Sequence, residues 1–336
     1  MGFDDYWYIV AESRELRPGR ALGRCVLDEW LACFRDARGH AVVLRDRCLH
    51  RSGRLSTGTV RAGRLVCPYH GWEYDAEGNV VAVPSAPAMA KLCNPAYPVL
   101  ERDGYVYVRL NRDAPPGIMP LRMPHYEQAG WKHVRLQNRF DNTVANCVEN
   151  FIDIPHTAFV HRGIFRHSRG ERIRASITRE NASMHVRYRN ERANLGSFGW
   201  LLNPRSAPIG HTDSFHAPNV TCVRYELPRG WVYVITSQSV PMSERQTLVY
   251  TDLTYRFAPL TAAAAWFVRR QAQRVIDQDI DLLERQMQVI GKYGPAFVDT
   301  PADAIHRCVD SLREAIAQGR DPCALPPLST EIEFLV

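Results

Sequence analysis

Arg47-Cys48-Leu49-His50-Arg51-Ser52-Gly53 and Cys67-Pro68-Tyr69-His70-Gly71-Trp72 are the two stretches that decide what this chain is. The spacing is Cys-x-His, then, after residues 51–66, Cys-x-x-His. Each pair offers one thiolate and one imidazole from a tight loop. A [2Fe–2S] cluster takes four protein ligands, and imidazoles in place of two thiolates on one iron raise its reduction potential. Two such loops can grip a cluster from opposite sides. A structural zinc ion takes the same ligand types, but zinc fingers favour two to four residues between paired ligands, which Cys48-x-His50 does not offer. The proline, glycine and aromatics of 68–72 also suit the shielding of a buried cluster. Cys48, His50, Cys67 and His70 are therefore the expected cluster ligands.

Composition sets the frame. The chain has 336 residues, 45% of them hydrophobic, enough for two domains with cores of their own. No apolar run approaches the roughly 20 residues of a membrane span. The longest candidate, Ala262 to Val268, leads into Arg269 and Arg270. The start, Met1-Gly2-Phe3-Asp4-Asp5-Tyr6, is acidic where a secretion signal is basic, so a cytoplasmic protein is expected. Beyond Cys48 and Cys67, the cysteines Cys25, Cys33, Cys93, Cys147, Cys222, Cys308 and Cys323 show no paired framework and read as reduced thiols. The net charge of +6 comes mostly from Arg, with no long basic tract interleaved with aromatics. Nucleic acid is not an expected partner.

Residues Trp7 to about Leu110 read as short strands, among them 41–44, 80–83 and 105–108. Turn signals separate them at Arg38-Gly39, Glu77-Gly78-Asn79 and Arg102-Asp103-Gly104. A proline-rich stretch, 111–120, reads as a linker, giving expected domains of 1–115 and 116–336. The second part reads as a helix over about 142–159, strands at 183–188, 220–225, 231–236 and 248–257, and a long helix from about 261 to 290. Together these predict an α+β chain: an all-β N-terminal domain, then an antiparallel sheet with helices packed on it.

A second constellation lies in Glu149-Asn150-Phe151-Ile152-Asp153-Ile154-Pro155-His156-Thr157-Ala158-Phe159-Val160-His161. Two histidines and a carboxylate on one face of an iron form the facial triad of non-haem Fe(II) oxygenases. His156 and His161 are five apart, about 140° of rotation in an ideal helix, so the helix must end or bend between them. A third ligand has three candidates, Asp277, Asp279 and Asp281. The apolar positions Val268, Ala272, Val275, Ile276, Leu282, Leu283 and Ile290 mark a buried stripe, and only Asp279 falls inside it. A carboxylate on a buried stripe is costly unless paired or bound to metal.

Cys48-x-His50 with Cys67-x-x-His70, then Asp153-x-x-His156-x4-His161, resembles the oxygenase component of the Rieske non-haem iron oxygenases. The resemblance covers nearly the whole chain and is to the monooxygenase branch of vanillate, dicamba and caffeine demethylases and saxitoxin-pathway hydroxylases. It implies an N-terminal Rieske domain and a helix-grip, START-like catalytic domain. It implies a mononuclear Fe(II) beside the cluster, with the third ligand five residues before an acidic residue, as Asp279 stands to Glu284. It also implies a homotrimer in which Asp153 bridges His156 and a cluster histidine, His70, of a neighbouring copy. Respiratory Rieske proteins carry a disulfide between the cluster loops; here the matching stretches, His50-Arg51-Ser52-Gly53 and His70-Gly71-Trp72-Glu73, hold no cysteine.

Weaker candidates accompany these. Arg45, Arg47, Arg51, Arg54, Arg61 and Arg64 crowd the cluster loops and suit either an acidic electron donor, a neighbouring copy or a solvated face. Asn146 and Asn150 are candidates for contact with the iron ligands, and 162–172 for an entrance loop or a subunit contact. The leading expectation is an oxygenase that uses O2 and electrons from NAD(P)H to hydroxylate or demethylate a small organic substrate. No G-x-G-x-x-G follows a strand, so the reductase, with or without a ferredoxin, is a separate protein. The alternatives are a non-catalytic Rieske electron carrier or redox sensor with a ligand-binding domain, which would lack the iron triad, and a zinc-stabilised binding module.

Overall fold

The computed structural model describes residues 2–86, 92–114, 117–161, 172–189, 191 and 207–335. It divides into two compact units, one of Phe3–Pro120 with Pro241–Glu244, the other of Leu121–Val240 with Arg245–Val336 and Gly2. No described helix is long and apolar enough to cross a membrane.

The first unit is built of short antiparallel strands. They are β1 (Trp7–Glu12), β2 (Leu22–Val26), β3 (Glu29–Arg35), β4 (Ala41–Arg45), β5 (Thr59–Arg61), β6 (Arg64–Val66), β7 (Glu73–Tyr74), β8 (Val80–Ala82), β9 (Val99–Arg102) and β10 (Tyr105–Arg109). They form sheets ordered β1-β10-β9, β2-β3-β4 and β5-β6-β7-β8. The stretches expected at 41–44, 80–83 and 105–108 lie in β4, β8 and β10, with Val83 just past the end of β8. Inward residues of the second and third sheets, Phe34, Leu44, Leu65, Tyr74 and Val80, share one core with Cys48 and Cys67. The cluster loops therefore grow out of packed strands.

The second unit is one sheet with helices on its inner face. Its strands are β11 (Lys132–Phe140), β12 (Arg172–Glu180), β13 (Ser183–Arg189), β14 (Gly210–His216), β15 (Val220–Leu227), β16 (Trp231–Ser243), β17 (Gln246–Arg256) and β18 (Leu328–Leu335). Their order is β11-β17-β16-β15-β14-β13-β12-β18, and the tip of β16 belongs to the first unit. The helices are α1 (Val144–Ile152), α2 (Ala265–Tyr293) and α3 (Ala304–Ala317). Val134, Leu136, Phe140, Val249 and Leu253 of the sheet pack on Val268, Ile276 and Leu283 of α2. Asn142 fastens α1 to α2, donating from Nδ2 to the Leu283 carbonyl at 2.7 Å.

Two differences from the sequence expectation have plain causes. The helix expected over 142–159 ends at Ile152; Asp153 is extended (φ −81°, ψ 114°), and a 3₁₀ turn, Pro155–Ala158, follows. Pro155 lacks an N–H and its ring would clash with the carbonyl four residues back, so α1 cannot run through it. Leu282, placed on the buried stripe of the long helix, is instead exposed, because the sheet covers only the flank carrying Val268, Ile276, Asp279 and Leu283.

Candidate metal centres

The two cluster loops are built alike. In the first, Cys48 N–H donates to the Gly53 carbonyl (2.8 Å) and Ser52 N–H to the Cys48 carbonyl (3.0 Å). In the second, Cys67 N–H donates to the Trp72 carbonyl (2.8 Å) and Gly71 N–H to the Cys67 carbonyl (3.1 Å). Each turn needs a left-handed residue four positions after its cysteine: Ser52 at φ 56° and Gly71 at φ 70°. Both thiols end up buried, and the His50 and His70 rings meet edge to face with centroids 4.4 Å apart. Trp72 stacks on His50 at 5.0 Å, and Tyr69 lies 3.9 Å from His70. His70 itself is exposed.

These residues fit a mixed Cys2His2 cluster. His50 Nδ1 is buried and has no hydrogen-bond partner, a cost unless something ligates it. The Tyr74 hydroxyl donates to Cys48 Sγ at 3.2 Å and accepts the Leu49 N–H at 2.9 Å. Burial, with the Cys48 thiol beside it, pushes that hydroxyl far above its ordinary pKa and keeps it a donor. Hydrogen bonds to cluster sulfurs tune the potential. Sequence inspection missed Tyr74; its only trace is the spacing to Cys67, which means nothing until β7 is paired with β6.

Of the six arginines around the loops, Arg45, Arg54 and Arg64 pair with Glu29, Asp46 and Glu73 of the same unit. Arg47 donates to the Ser52 hydroxyl at 3.0 Å. Arg51 and Arg61 are exposed.

The second centre forms where the 3₁₀ turn after α1 faces the middle of α2. His156 Nε2 and His161 Nε2 lie 3.3 Å apart. Asp279 Oδ1 is 3.1 Å from His161 Nε2 and 3.8 Å from His156 Nε2. Among the described residues this is the one group of three or more histidine, cysteine or acidic side chains whose donor atoms converge within 4.8 Å. Asp277 and Asp281 point to solvent, bonded to Gln273 (2.8 Å) and Arg285 (2.8 Å).

The ring nitrogens are oriented from behind. His161 Nδ1 is 2.9 Å from Gln278 Oε1, an acceptor only, so Nδ1 carries the proton and Nε2 presents its lone pair. His156 Nδ1 lies 3.4 Å from Asp153 Oδ2, and the same oxygen accepts the His156 N–H at 3.2 Å. Two imidazole nitrogens and a carboxylate oxygen then face one another in a largely buried pocket. That is repulsive when empty of a cation and favourable around one, so the residues fit a divalent metal on one face. Gln278 is the second contact that sequence inspection missed, hidden between two candidate aspartates.

Asn146 donates from Nδ2 to Asn142 Oδ1 (2.7 Å), within the capped start of α1. Asn150 is buried, and its Oδ1 has no hydrogen-bond partner. Residues 162–171, most of the stretch read as an entrance loop or subunit contact, lie outside the described residues.

A third buried polar group occupies the inner face of the sheet. His211 is held between Asp213 Oδ1 (2.9 Å, Nε2) and Glu191 Oε2 (Nδ1), with Tyr188 and Tyr225 stacked on its two faces at 4.4 Å each. Tyr188 also donates to Asp213 Oδ2 at 2.9 Å. Burial pulls the imidazole down, but the two carboxylates outweigh it and push it up to about 9.

Comparison with known proteins places these features. Residues 6–98 match the Rieske [2Fe-2S] domain, and residues 140–315 match the vanillate O-demethylase oxygenase C-terminal domain. The chain is 36% identical over 165 residues to the oxygenase component of dicamba O-demethylase from Stenotrophomonas maltophilia, covering 46% of this chain and 47% of that one. It is 33% identical over 177 residues to methylxanthine N1-demethylase of Pseudomonas putida (50% and 47%), and 26% over 300 residues to protein TIC 55 of Arabidopsis thaliana (85% and 54%). It thus spans about half, or less, of the length of the curated relatives it matches. The crystal structure of dicamba monooxygenase bound to dicamba superposes with a TM-score of 0.82 at 21% identity, covering 95% of this chain and 98% of that chain, which shows a shared fold.

Proposed function

Because the chain belongs to the Rieske oxygenases with a vanillate O-demethylase-type C-terminal domain, we propose that it is the terminal oxygenase of a multicomponent system. Its reaction is the hydroxylation of a C–H bond, or the oxidative loss of an O- or N-methyl group, in a small organic substrate. Electrons come from NAD(P)H through a separate reductase. The observation that carries this reading is the buried convergence of His156 Nε2, His161 Nε2 and Asp279 Oδ1, a donor set a plain electron carrier would have no use for.

Cys48, His50, Cys67 and His70 are the residues to hold the [2Fe–2S] cluster, and His156, His161 and Asp279 those to hold Fe(II). When bound, the iron supplies O2 activation, and the cluster supplies electrons one at a time. The protein's part is orientation. Gln278 fixes the His161 tautomer, and Asp153 accepts the His156 backbone N–H with its carboxylate 3.4 Å from the ring Nδ1. Residues 1–115 serve as the electron-carrying part and 116–336 as the catalytic part. Asp153, bonded to His156 and set where α1 ends, is the residue to link His156 with His70 of a neighbouring copy in a homotrimer. The exposure of His70 supports that link.

Single turnover tests it. Asp153→Asn keeps the size and the hydrogen-bonding oxygen but removes the charge. Pre-reduced Asp153→Asn protein, given O2 and a methylated aromatic substrate, should retain both metals and its oligomeric state yet fail to reoxidise its cluster. Near-normal product, or a wild-type protein active as a strict monomer, would remove the bridge.

A further inference from the structure

The last turn of α1 has a charge problem of its own making. Glu149 and Asp153 both stand at the C-terminal end of α1, and α1 carries no basic residue in its last turn. A helix C-terminus already bears partial negative charge, so two carboxylates there repel it and each other. The compensating group comes from another helix. His306, in the first turn of α3, is buried, and its Nδ1 lies 3.2 Å from Glu149 Oε1 and 3.5 Å from Asp303 Oδ1.

The charged groups around His306 can be named from each element. α1 presents Glu149 and Asp153, and the turn before α3 presents Asp303. On α3 itself, Asp310 lies one turn on, while the neighbouring Arg307 is drawn off to Asp299 at 3.3 Å. Burial pulls the imidazole down, but Glu149, then Asp153 and Asp303, more than offset it and raise it above its ordinary value. The Asp310 carboxyl is also raised, by burial and then by Glu149, which favours its neutral form. The cluster is acidic, with Arg307 acting on Asp303 and Arg313 on Asp310, and His306 is the buried group set against Glu149.

We infer that His306, as an imidazolium, is a positioning residue for Asp153: it neutralises Glu149 at the end of α1 and so keeps the Asp153 carboxylate seated on His156. This rests on the bridging role proposed for Asp153. With His306 neutral, Glu149 and Asp153 stand unbalanced at the helix end, and the extended turn at Asp153 has no counter-charge to hold it in place. Nothing in the metal-binding residues themselves need titrate for this to act.

Two measurements on the holoenzyme test it. The first is the pKa of His306, from the exchange rate of its ring C2 proton across pH, followed by mass spectrometry of the peptide that carries it. It should lie above the ordinary value of about 6.5 and fall in Glu149→Gln. The second is the pH profile of cluster reoxidation in single turnover. Wild type should lose rate on the alkaline side with the midpoint of His306. Glu149→Gln, which removes the charge to be neutralised, should shrink that limb, and His306→Lys should move it to higher pH. His306→Gln should be slower by roughly tenfold, the low end of what lost support around a metal ligand costs, with the limb gone. A His306 pKa at or below 6.5, or a limb that stays in place in His306→Gln, overturns the inference. Asp153→Asn, run alongside, keeps the two ideas apart. If it collapses turnover while His306→Gln does nothing, the bridge stands and His306 has no part in it; if it turns over normally, the bridge is what fails.

Discussion

The cluster loops carry the four ligands proposed above, between residues 48 and 70, and are held by four backbone hydrogen bonds repeated from loop to loop. The triad takes His161 from one element and Asp279 from another, beside a Gln278 that is 117 positions along the chain, and holds them with side chains. One centre is local and backbone-made; the other is distant and charge-made. The first needs only two correct turns. The second needs α1 to stop on time, α2 to pack in register and several buried charges to balance.

The largest effects should follow that division. Cys67→Ser should abolish the visible and rhombic EPR signals of the cluster, because a hydroxyl does not replace the thiolate, and leave the mononuclear iron bound. Asp279→Ala should do the reverse, losing the iron and keeping the cluster, while Asp277→Ala loses neither. Iron analysis and EPR on the three proteins decide. Joint loss of both metals in either of the first two variants would mean the centres are not built separately.

pH should also divide them, by a smaller amount. In the sheet unit, His211 is fully buried between Asp213 and Glu191 and pushed up to about 9 against an unfolded value near 6.5. A raised histidine pKa stabilises the fold fully below the unfolded value, and the contribution is lost as pH rises through the folded one. The gap corresponds to on the order of 3 kcal/mol between pH 6 and 10. Hydrogen exchange at the amides of β13–β15 should show that loss in the wild type. His211→Gln should be the less stable protein at pH 6, with the difference narrowing as pH rises. A difference that stays constant with pH would show that His211 is neutral in the fold.

The same division explains what the sequence could reveal. The paired turns at Cys48-x-His50 and Cys67-x-x-His70 were legible because cysteine, histidine and turn residues sit within a few positions of one another. Asp279 was legible because it is an acid on an otherwise apolar stripe. β14 was not: its inward positions include His211 and Asp213, so it lacks the apolar alternation that marks a half-buried strand. β18 is an edge strand, largely exposed, with only Phe334 buried. β11 alternates, yet its inward row of Val134, Leu136 and Phe140 is interrupted by the polar Asn138, which dilutes the signal. α3 escaped notice although its inward face is apolar, and with it went His306. Tyr74 and Gln278 were invisible for another reason: their roles depend on which neighbour the fold supplies, not on their own spacing.

Tyr74→Phe gives the smallest and most selective effect. The ring is fully buried against the core beneath the cluster loops, and phenylalanine keeps its shape there. What goes is one donor to Cys48 Sγ and one acceptor for the Leu49 N–H. Leu49 is partly exposed, so water can take over its N–H. The sulfur has no such replacement. Reduction adds negative charge to the cluster, and a donor aimed at a ligand sulfur stabilises that charge, so losing it should lower the potential. At about 1 kcal/mol for such a bond, the shift is about 40 mV for a one-electron couple. The backbone bonds at Cys48 and Cys67 are untouched, so cluster content and iron content should match wild type. Redox titration followed by EPR measures it. A potential that stays put or rises would mean the hydroxyl serves the turn, not the sulfur. The cluster loops would then owe their electronics, like their shape, to the backbone alone.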